Sequence, residues 1–154
     1  MMVALIIVSV GLLGVATLQT RGQQFNQVSY FRTQAALLAT DIMERIRINT
    51  DRIQNSDGNG DNGSYQIGSC DKYLFSSACD AGGCSPAQLA TYDLNQWCAQ
   101  VTHPQTLPQG QAIIQFDNRI YTIYICWKNI VDSKQDNEIC TDDEMEEQKW
   151  VLQI

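Results

Sequence analysis

Histidine, proline and basic residues are scarce in this chain of 154 residues. It has one histidine, His103, three prolines, and 10 lysines and arginines against 17 acidic residues, giving a formal net charge of −7. A lone imidazole with no Ser or Cys partner motif supplies no nucleophile–base pair, so we predict that the protein is not an enzyme. Because phosphate binding needs clustered Lys and Arg and the basic residues here are scattered, we predict no nucleic-acid partner.

Charge is missing altogether from residues 1–18, where only Ser9 and Thr17 are polar. As a helix this segment would be roughly 27 Å long, close to the ~30 Å hydrocarbon core of a bilayer. No basic residue precedes it and no small-x-small cleavage site follows it, so its pattern is not that of a cleaved signal peptide. We predict a helix that lies in lipid or in a helix bundle. Gly11 and Gly14 allow close helix approach, although a membrane helix also tolerates such glycines.

Proline is absent before Pro86, and apolar residues continue with helical spacing after the apolar run. The predicted stripe comprises Phe25, Val28, Phe31, Ala35, Leu38, Ile42, Ile46 and Ile53. Steps of mostly three or four indicate an amphipathic helix. We therefore predict one helix over residues 1–54, with 1–18 in the membrane or a filament core and 19–54 packed on a globular head formed by 55–154.

The start of a second helix is marked by Ser85, Pro86 and Gln88. Ser85 can cap the helix, Pro86 suits its first position, and Gln88 completes a capping box. Leu89, Leu94, Trp97 (or Cys98) and Val101 form its predicted apolar face. The sequence His103-Pro104 is expected to end it.

Segments rich in β-branched and aromatic residues follow. Gln111–Phe116 and Arg119–Trp127 predict a hairpin with a type I′ turn at Asp117 and Asn118, because both turn residues tolerate positive φ. Lys149–Ile154 predicts a terminal strand. The predicted fold class is α+β, with a long N-terminal helix packed on a small antiparallel sheet.

All six cysteines lie beyond the apolar segment, which indicates an oxidising compartment and structural disulfides. Cys126 and Cys140 flank an acidic loop between two predicted strands, and we predict that they pair, contributing about 3 kcal/mol. The remaining four, Cys70, Cys79, Cys84 and Cys98, allow three pairings, which the sequence leaves open.

Three groups of charged or polar residues are candidates for ion binding, ion pairing or docking. The first comprises weak calcium candidates, Asp57, Asn59 and Asp61. A calcium loop needs a bidentate Glu at its last position, and here that position is occupied by Gln66 or by Gly68, depending on where the loop starts. We therefore favour a flexible turn and predict no metal or cofactor. Asp41 and Arg45 predict an i,i+4 ion pair on the solvated face of the long helix. The acidic run is interpreted first as a solvated loop, with a docking surface for a basic partner or a weak cation site as the alternatives. Its acids are Asp132, Asp136, Glu138, Asp142, Asp143, Glu144, Glu146 and Glu147.

The segments LLATDIMERIR and SPAQLATYDLNQW, with the strand IYTIYICWKN, resemble the type IV pilus modification family of minor pilins (PilV). The resemblance covers most of the chain. It implies a lollipop-like pilin fold and a structural subunit that primes pilus assembly within a tip complex, supporting adhesion and twitching motility. The implied partners are other minor pilins, the major pilin, the assembly platform and often a large tip adhesin. The implied location is the inner membrane with a periplasmic head, then the pilus.

One departure concerns the start of the chain. Pilins begin with a short basic leader that ends in glycine and is followed by a short segment that ends in glutamate. The prepilin peptidase cuts after the glycine and methylates the new N-terminus. Aligned on the family, Met1 would directly follow that glutamate, so we expect a truncated start. Two rival hypotheses are a minor pseudopilin of a type II secretion system and a membrane-anchored periplasmic binding module that uses the Asp/Asn/Gly loop.

Overall fold

The computed structural model describes residues 2–57, 63–70, 79, 83–128 and 145–153. Its order of elements is helix α1 (Met2–Asp57), helix α2 (Pro86–Val101) and strands β1 (Gln111–Asp117), β2 (Ile120–Lys128) and β3 (Met145–Gln153). The three strands form an antiparallel sheet in the order β1-β2-β3. The predicted α+β class is confirmed.

Helix α1 is continuous over 56 residues and therefore about 84 Å long. No proline interrupts it, and several hydroxyl side chains bond back to carbonyl oxygens four residues earlier, as Thr17 does to Leu13 at 3.0 Å. The helix ends at Asp57, three residues beyond the predicted end.

The apolar stripe of α1 is buried over only part of its length. Ala35, Leu38, Ile42 and Ile46 lie in the core, as predicted, and Phe31 packs against its margin. Phe25 is 68% exposed, so the stripe was predicted too far toward the N-terminus. Helical spacing indicates only on which face of the helix a residue lies. A residue on that face is buried only where the head also covers that part of the helix.

Helix α2 begins with the predicted capping box. The Ser85 hydroxyl oxygen accepts a hydrogen bond from the Gln88 backbone N–H at 3.3 Å, and the Ser85 N–H donates to Gln88 Oε1 at 3.0 Å. The indole N–H of Trp97 donates to the Leu38 carbonyl oxygen at 2.8 Å, which ties α2 to α1. The buried face comprises Ala90, Asp93, Leu94, Trp97, Cys98 and Val101, and Leu89 is only half-buried.

The hairpin turn lies one residue later than predicted. Asn118 and Arg119 have φ values of 50° and 66°, the two positive values that a type I′ turn requires. This register pairs Phe116 with Tyr121, whose ring centroids lie 4.7 Å apart. The predicted turn would have paired Phe116 with Arg119, so cross-strand aromatic packing accounts for the shift.

The sheet packs one face against the helices. Tyr121, Ile123, Ile125 and Trp127 of β2 are all buried there. Strand β3 begins at Met145, four residues before the predicted start, and Ile154 lies outside the described residues. Residues 55–84 are rich in Gly, Asn, Asp and Ser, which predicts a loop. Within them, residues 63–70 extend the sheet edge through an antiparallel bridge between Ile67 and Ile114.

Candidate functional site

The N-terminal part of α1 exposes apolar side chains on all of its sides. Nine of them are between 52% and 72% exposed: Val3, Ile6, Ile7, Val8, Val10, Leu12, Leu13, Val15 and Leu18. A soluble monomer rarely exposes so large a contiguous apolar patch. This surface is therefore suited to an apolar surrounding, either lipid or other helices.

Among the described residues, no helix combines the length and hydropathy needed to cross a membrane.

The glycines on the exposed part of α1 have open space around them among the described residues. A Cβ built on Gly11 or Gly14 meets no atom within 4 Å. The fold therefore does not need a small residue at either position, and their role in packing against a neighbouring helix stays a prediction.

A polar network joins α1 to the head. Arg45 Nε donates to Asp41 Oδ2 at 3.0 Å, and Arg45 Nη1 donates to Asp93 Oδ1 at 3.2 Å. The side chains of Arg45 and Asp93 are 26% and 11% exposed. The predicted Asp41–Arg45 pair is confirmed, but its position on a solvated face is wrong, because Arg45 also bridges to α2.

The network continues inward through Tyr65 and Asn49. The Tyr65 hydroxyl donates to Asp93 Oδ2 at 2.7 Å and accepts from Asn49 Nδ2 at 3.1 Å. Asn49 Nδ2 also donates to the Pro86 carbonyl oxygen at 2.7 Å. These bonds connect α1, the segment 63–70 and the first turn of α2, so they fix the angle at which the long helix leaves the head.

Burial and charged neighbours shift the pKa of two members of this network, Tyr65 and Arg45. Burial, and then the hydrogen bond to Asp93, raise the pKa of Tyr65 far above its usual value, so the hydroxyl remains a donor. Burial lowers the pKa of the Arg45 guanidinium. Hydrogen bonds and charge interactions with Asp41 and Asp93 outweigh this effect, so the pKa of Arg45 is raised overall. The arrangement is a structural joint, and it contains no nucleophile–base pair.

Disulfides join Cys70 to Cys98 and Cys79 to Cys84, which selects one of the three pairings that the sequence allowed. The first disulfide links the segment 63–70 to α2 through Cys70, which follows Tyr65 by five residues. Cys126 is disulfide-bonded. Because Cys140 lies outside the described residues, its pairing with Cys126 stays a prediction.

The calcium candidates do not form a described site. Asp57 is the last residue of α1 instead of a loop residue, and Asn59 and Asp61 lie outside the described residues. In the part of the chain that the structure describes, no three His, Cys, Asp or Glu side chains cluster as metal ligands would. His103 is exposed, and its Nδ1 accepts from the Gln105 N–H at 3.3 Å.

Most of the acidic run lies outside the described residues. Of its acids, Glu146 and Glu147 lie in the described residues, both in β3. In the same strand, Lys149 Nζ lies 5.4 Å from the centre of the Tyr124 ring of β2. The use of this run as a docking surface stays a prediction.

No protein-family model, curated protein or solved structure matches this chain.

Sequence reasoning missed Asn49, Tyr65 and Asp93. Two of them carried a usable signal, because Asn49 continues the helical spacing of Ile42 and Ile46, and Asp93 lies beside Leu94 on the apolar face of α2. A polar residue on a buried helix face predicts a buried hydrogen bond. Tyr65 carried no such signal, since it lies within residues 55–84, whose Gly, Asn, Asp and Ser content predicts a loop.

Proposed function

We propose that this chain is a minor pilin, a non-enzymatic structural subunit of a type IV pilus that helps to prime assembly and belongs to the tip complex. The observation that carries the proposal is the exposed apolar part of α1, joined by hydrogen bonds and packing to a small disulfide-linked head. In such a subunit the helix is held in the inner membrane before assembly. It then packs among other helices in the filament core.

The polar joint supports this function mechanically. In a filament the helix carries the head at a defined angle, and Arg45, Asp93 and Tyr65 hold that angle through bonds of 3.2 Å and 2.7 Å. Disulfides strengthen the head without requiring a large core, which suits an extracellular subunit. The resemblance to the type IV pilus modification family supplies the identity of the filament, the major-pilin and minor-pilin partners and the link to adhesion and twitching motility.

Replacing Gly14 tests the role of the helix. A Cβ at position 14 meets open space among the described residues, so we expect neither Gly14→Leu nor Gly14→Ala to disturb the fold through a clash. In a filament core, leucine would keep neighbouring helices apart, whereas alanine adds one methyl group. We therefore expect Gly14→Leu in the full chain to lower surface piliation and twitching well below the Gly14→Ala level.

The controls separate folding from assembly. Both variants are expected to retain the oxidised, protease-resistant head. Unchanged piliation in Gly14→Leu would count against the packing role of the helix. Deletion of the gene with no effect on piliation, together with impaired protein secretion, would instead favour the type II secretion pseudopilin.

A further inference from the structure

Charge is distributed unevenly along the chain. Residues 1–40 contain two arginines, Arg21 and Arg32, and no acidic residue, whereas residues 41–154 hold all 17 acidic residues and the remaining basic ones. The side chains of the first part therefore have a formal charge of +2, and those of the second part have one of −9. An anionic surface would attract the exposed part of α1 and repel the rest of the chain.

Arg21 is an exposed cation without a partner in the described part of the chain. The head begins to cover α1 only at Phe31, ten residues later. The nearest acidic residue along α1 is Asp41, which is 20 residues and therefore about 30 Å away. Among the described residues Arg21 forms no ion pair. Its guanidinium N–H groups are therefore available to an anion outside the chain.

The position of Arg21 indicates which anion fits. It follows Leu18, the last residue of the apolar segment, by three residues, which is about 4.5 Å along the helix. A bilayer is about 40–45 Å thick with a hydrocarbon core of about 30 Å, so each headgroup layer is about 5–7 Å thick. When the apolar segment lies in hydrocarbon, Arg21 is at the level of the lipid phosphates. Arginine binds phosphate with paired N–H donors.

The neighbours of Arg21 on its side of the helix also suit a lipid. Leu18 and Phe25 lie three residues before it and four residues after it, and they are 72% and 68% exposed. Helix side chains incline toward the N-terminus, so Phe25 inclines toward the level of Arg21. We call Leu18, Arg21 and Phe25 the headgroup surface. A lipid presents an acyl chain to Leu18 and a phosphate to Arg21, whereas a protein carboxylate would leave Leu18 uncovered.

We propose that the headgroup surface binds an anionic phospholipid, with the phosphate at Arg21 and the acyl chain beside Leu18. This site rests on the proposed pilin function, in which α1 is held in a membrane before assembly, and it adds the chemical class of the lipid. A zwitterionic headgroup carries a cation that offsets the attraction between its phosphate and Arg21. A lipid with net negative charge is therefore preferred.

Tryptophan quenching by brominated lipids tests this preference in the reconstituted full chain. Leu18→Trp places a fluorophore on the headgroup surface and keeps that position apolar. The tryptophans of the head, Trp97, Trp127 and Trp150, pack in or against its core and give a constant background. Titration with acyl-brominated phosphatidylglycerol or phosphatidylcholine gives the relative binding constant of the two lipids. We expect phosphatidylglycerol to be favoured about fivefold, the factor for one arginine at an anionic surface.

A matched pair of charge variants locates the preference. In the Leu18→Trp chain, Arg21→Gln should lower the relative binding constant to about one. Arg32→Gln removes the same charge, but Arg32 lies 14 residues and about 21 Å beyond Leu18, outside the headgroup layer, so it should leave the constant unchanged. An equal fall in both variants would show a diffuse attraction and overturn the proposal. A constant near one in the Leu18→Trp chain itself would also overturn it and favour a protein carboxylate as the partner of Arg21.

The failure of this site and the failure of the proposed function give different results. If neither brominated lipid quenches the introduced tryptophan, α1 does not lie in lipid. The membrane stage of the proposed function then fails, and the lipid site fails with it. If both lipids quench the tryptophan equally, only the preference for an anionic lipid fails.

Discussion

The hydroxyl of Tyr65 is the group whose removal tests the polar joint most directly. In Tyr65→Phe, Asp93 Oδ2 loses the donor that lies 2.7 Å away in a site with little access to water. Hydrogen bonds to a charged group contribute about 1.5–3 kcal/mol, so we expect a loss of about 2 kcal/mol in the free energy of unfolding. Asn49 Nδ2 also loses the Tyr65 hydroxyl as an acceptor at 3.1 Å, but it keeps its bond to the Pro86 carbonyl oxygen at 2.7 Å and so stays paired.

The loss can be measured by denaturation of the full chain in mild detergent, followed by tryptophan fluorescence. Trp97 and Trp127 are buried in the head and report its unfolding. A loss of this size lowers Tm by roughly 4–8 °C for a chain of this length. Tyr30→Phe is the matched control, because Tyr30 is exposed on α1, and it should change stability by less than about 0.5 kcal/mol.

A double-mutant cycle separates the bond from general packing. Asp93→Asn keeps the shape of the site but removes the charge that strengthens the bond. If Tyr65 and Asp93 interact as the geometry indicates, the two substitutions together should cost at least about 1 kcal/mol less than the sum of the single ones. Additive effects, or a Tyr65→Phe loss no larger than that of the control, would refute the reasoning.

Three further outcomes follow from the same structure. Arg119→Gly should stabilise the head by about 0.5–1 kcal/mol in the same denaturation assay, because φ of +66° is strained for arginine and natural for glycine; a loss of stability would contradict this. Gly110→Ala should lower the free energy of unfolding by at least about 2 kcal/mol, because the added Cβ would collide with the Val101 carbonyl oxygen. The matched control Gly68→Ala meets open space among the described residues and should change the free energy of unfolding by less than about 1 kcal/mol. Folding raises the pKa of Tyr65, so the contribution of its neutral hydroxyl to the free energy of unfolding is complete below pH ~10. Above that pH the contribution should fall by up to ~1.4 kcal/mol per pH unit. The difference in free energy of unfolding between wild type and Tyr65→Phe should therefore narrow from pH 9 to pH 11.

Local signals were sufficient to predict most of the secondary structure. The capping box at Ser85 and Gln88 specifies the start of α2, because both of its hydrogen bonds lie within four residues. The absence of proline before Pro86 likewise predicts that α1 is uninterrupted. The hairpin turn was misplaced by one residue because Asp117, Asn118 and Arg119 differ little in local preference, whereas pairing of Phe116 with Tyr121 fixes the register.

The candidate site was less predictable. Arg45 has a local partner, Asp41, and sequence reasoning found it. Its second partner, Asp93, is 48 residues away, and no periodicity reports contacts of that length. The disulfide pairings were open for the same reason, since spacing does not state which cysteines the fold brings together.

The sequence by itself determined the division of this protein into an apolar helix and a polar, cysteine-rich remainder, because composition and helical spacing act over a few residues at a time. Only the tertiary structure decided where the head begins to cover α1, at Phe31 instead of Phe25, and which side chains form the joint. Those features depend on surfaces that meet from distant parts of the chain. Burial then makes an ordinary tyrosine and aspartate essential to the angle between helix and head.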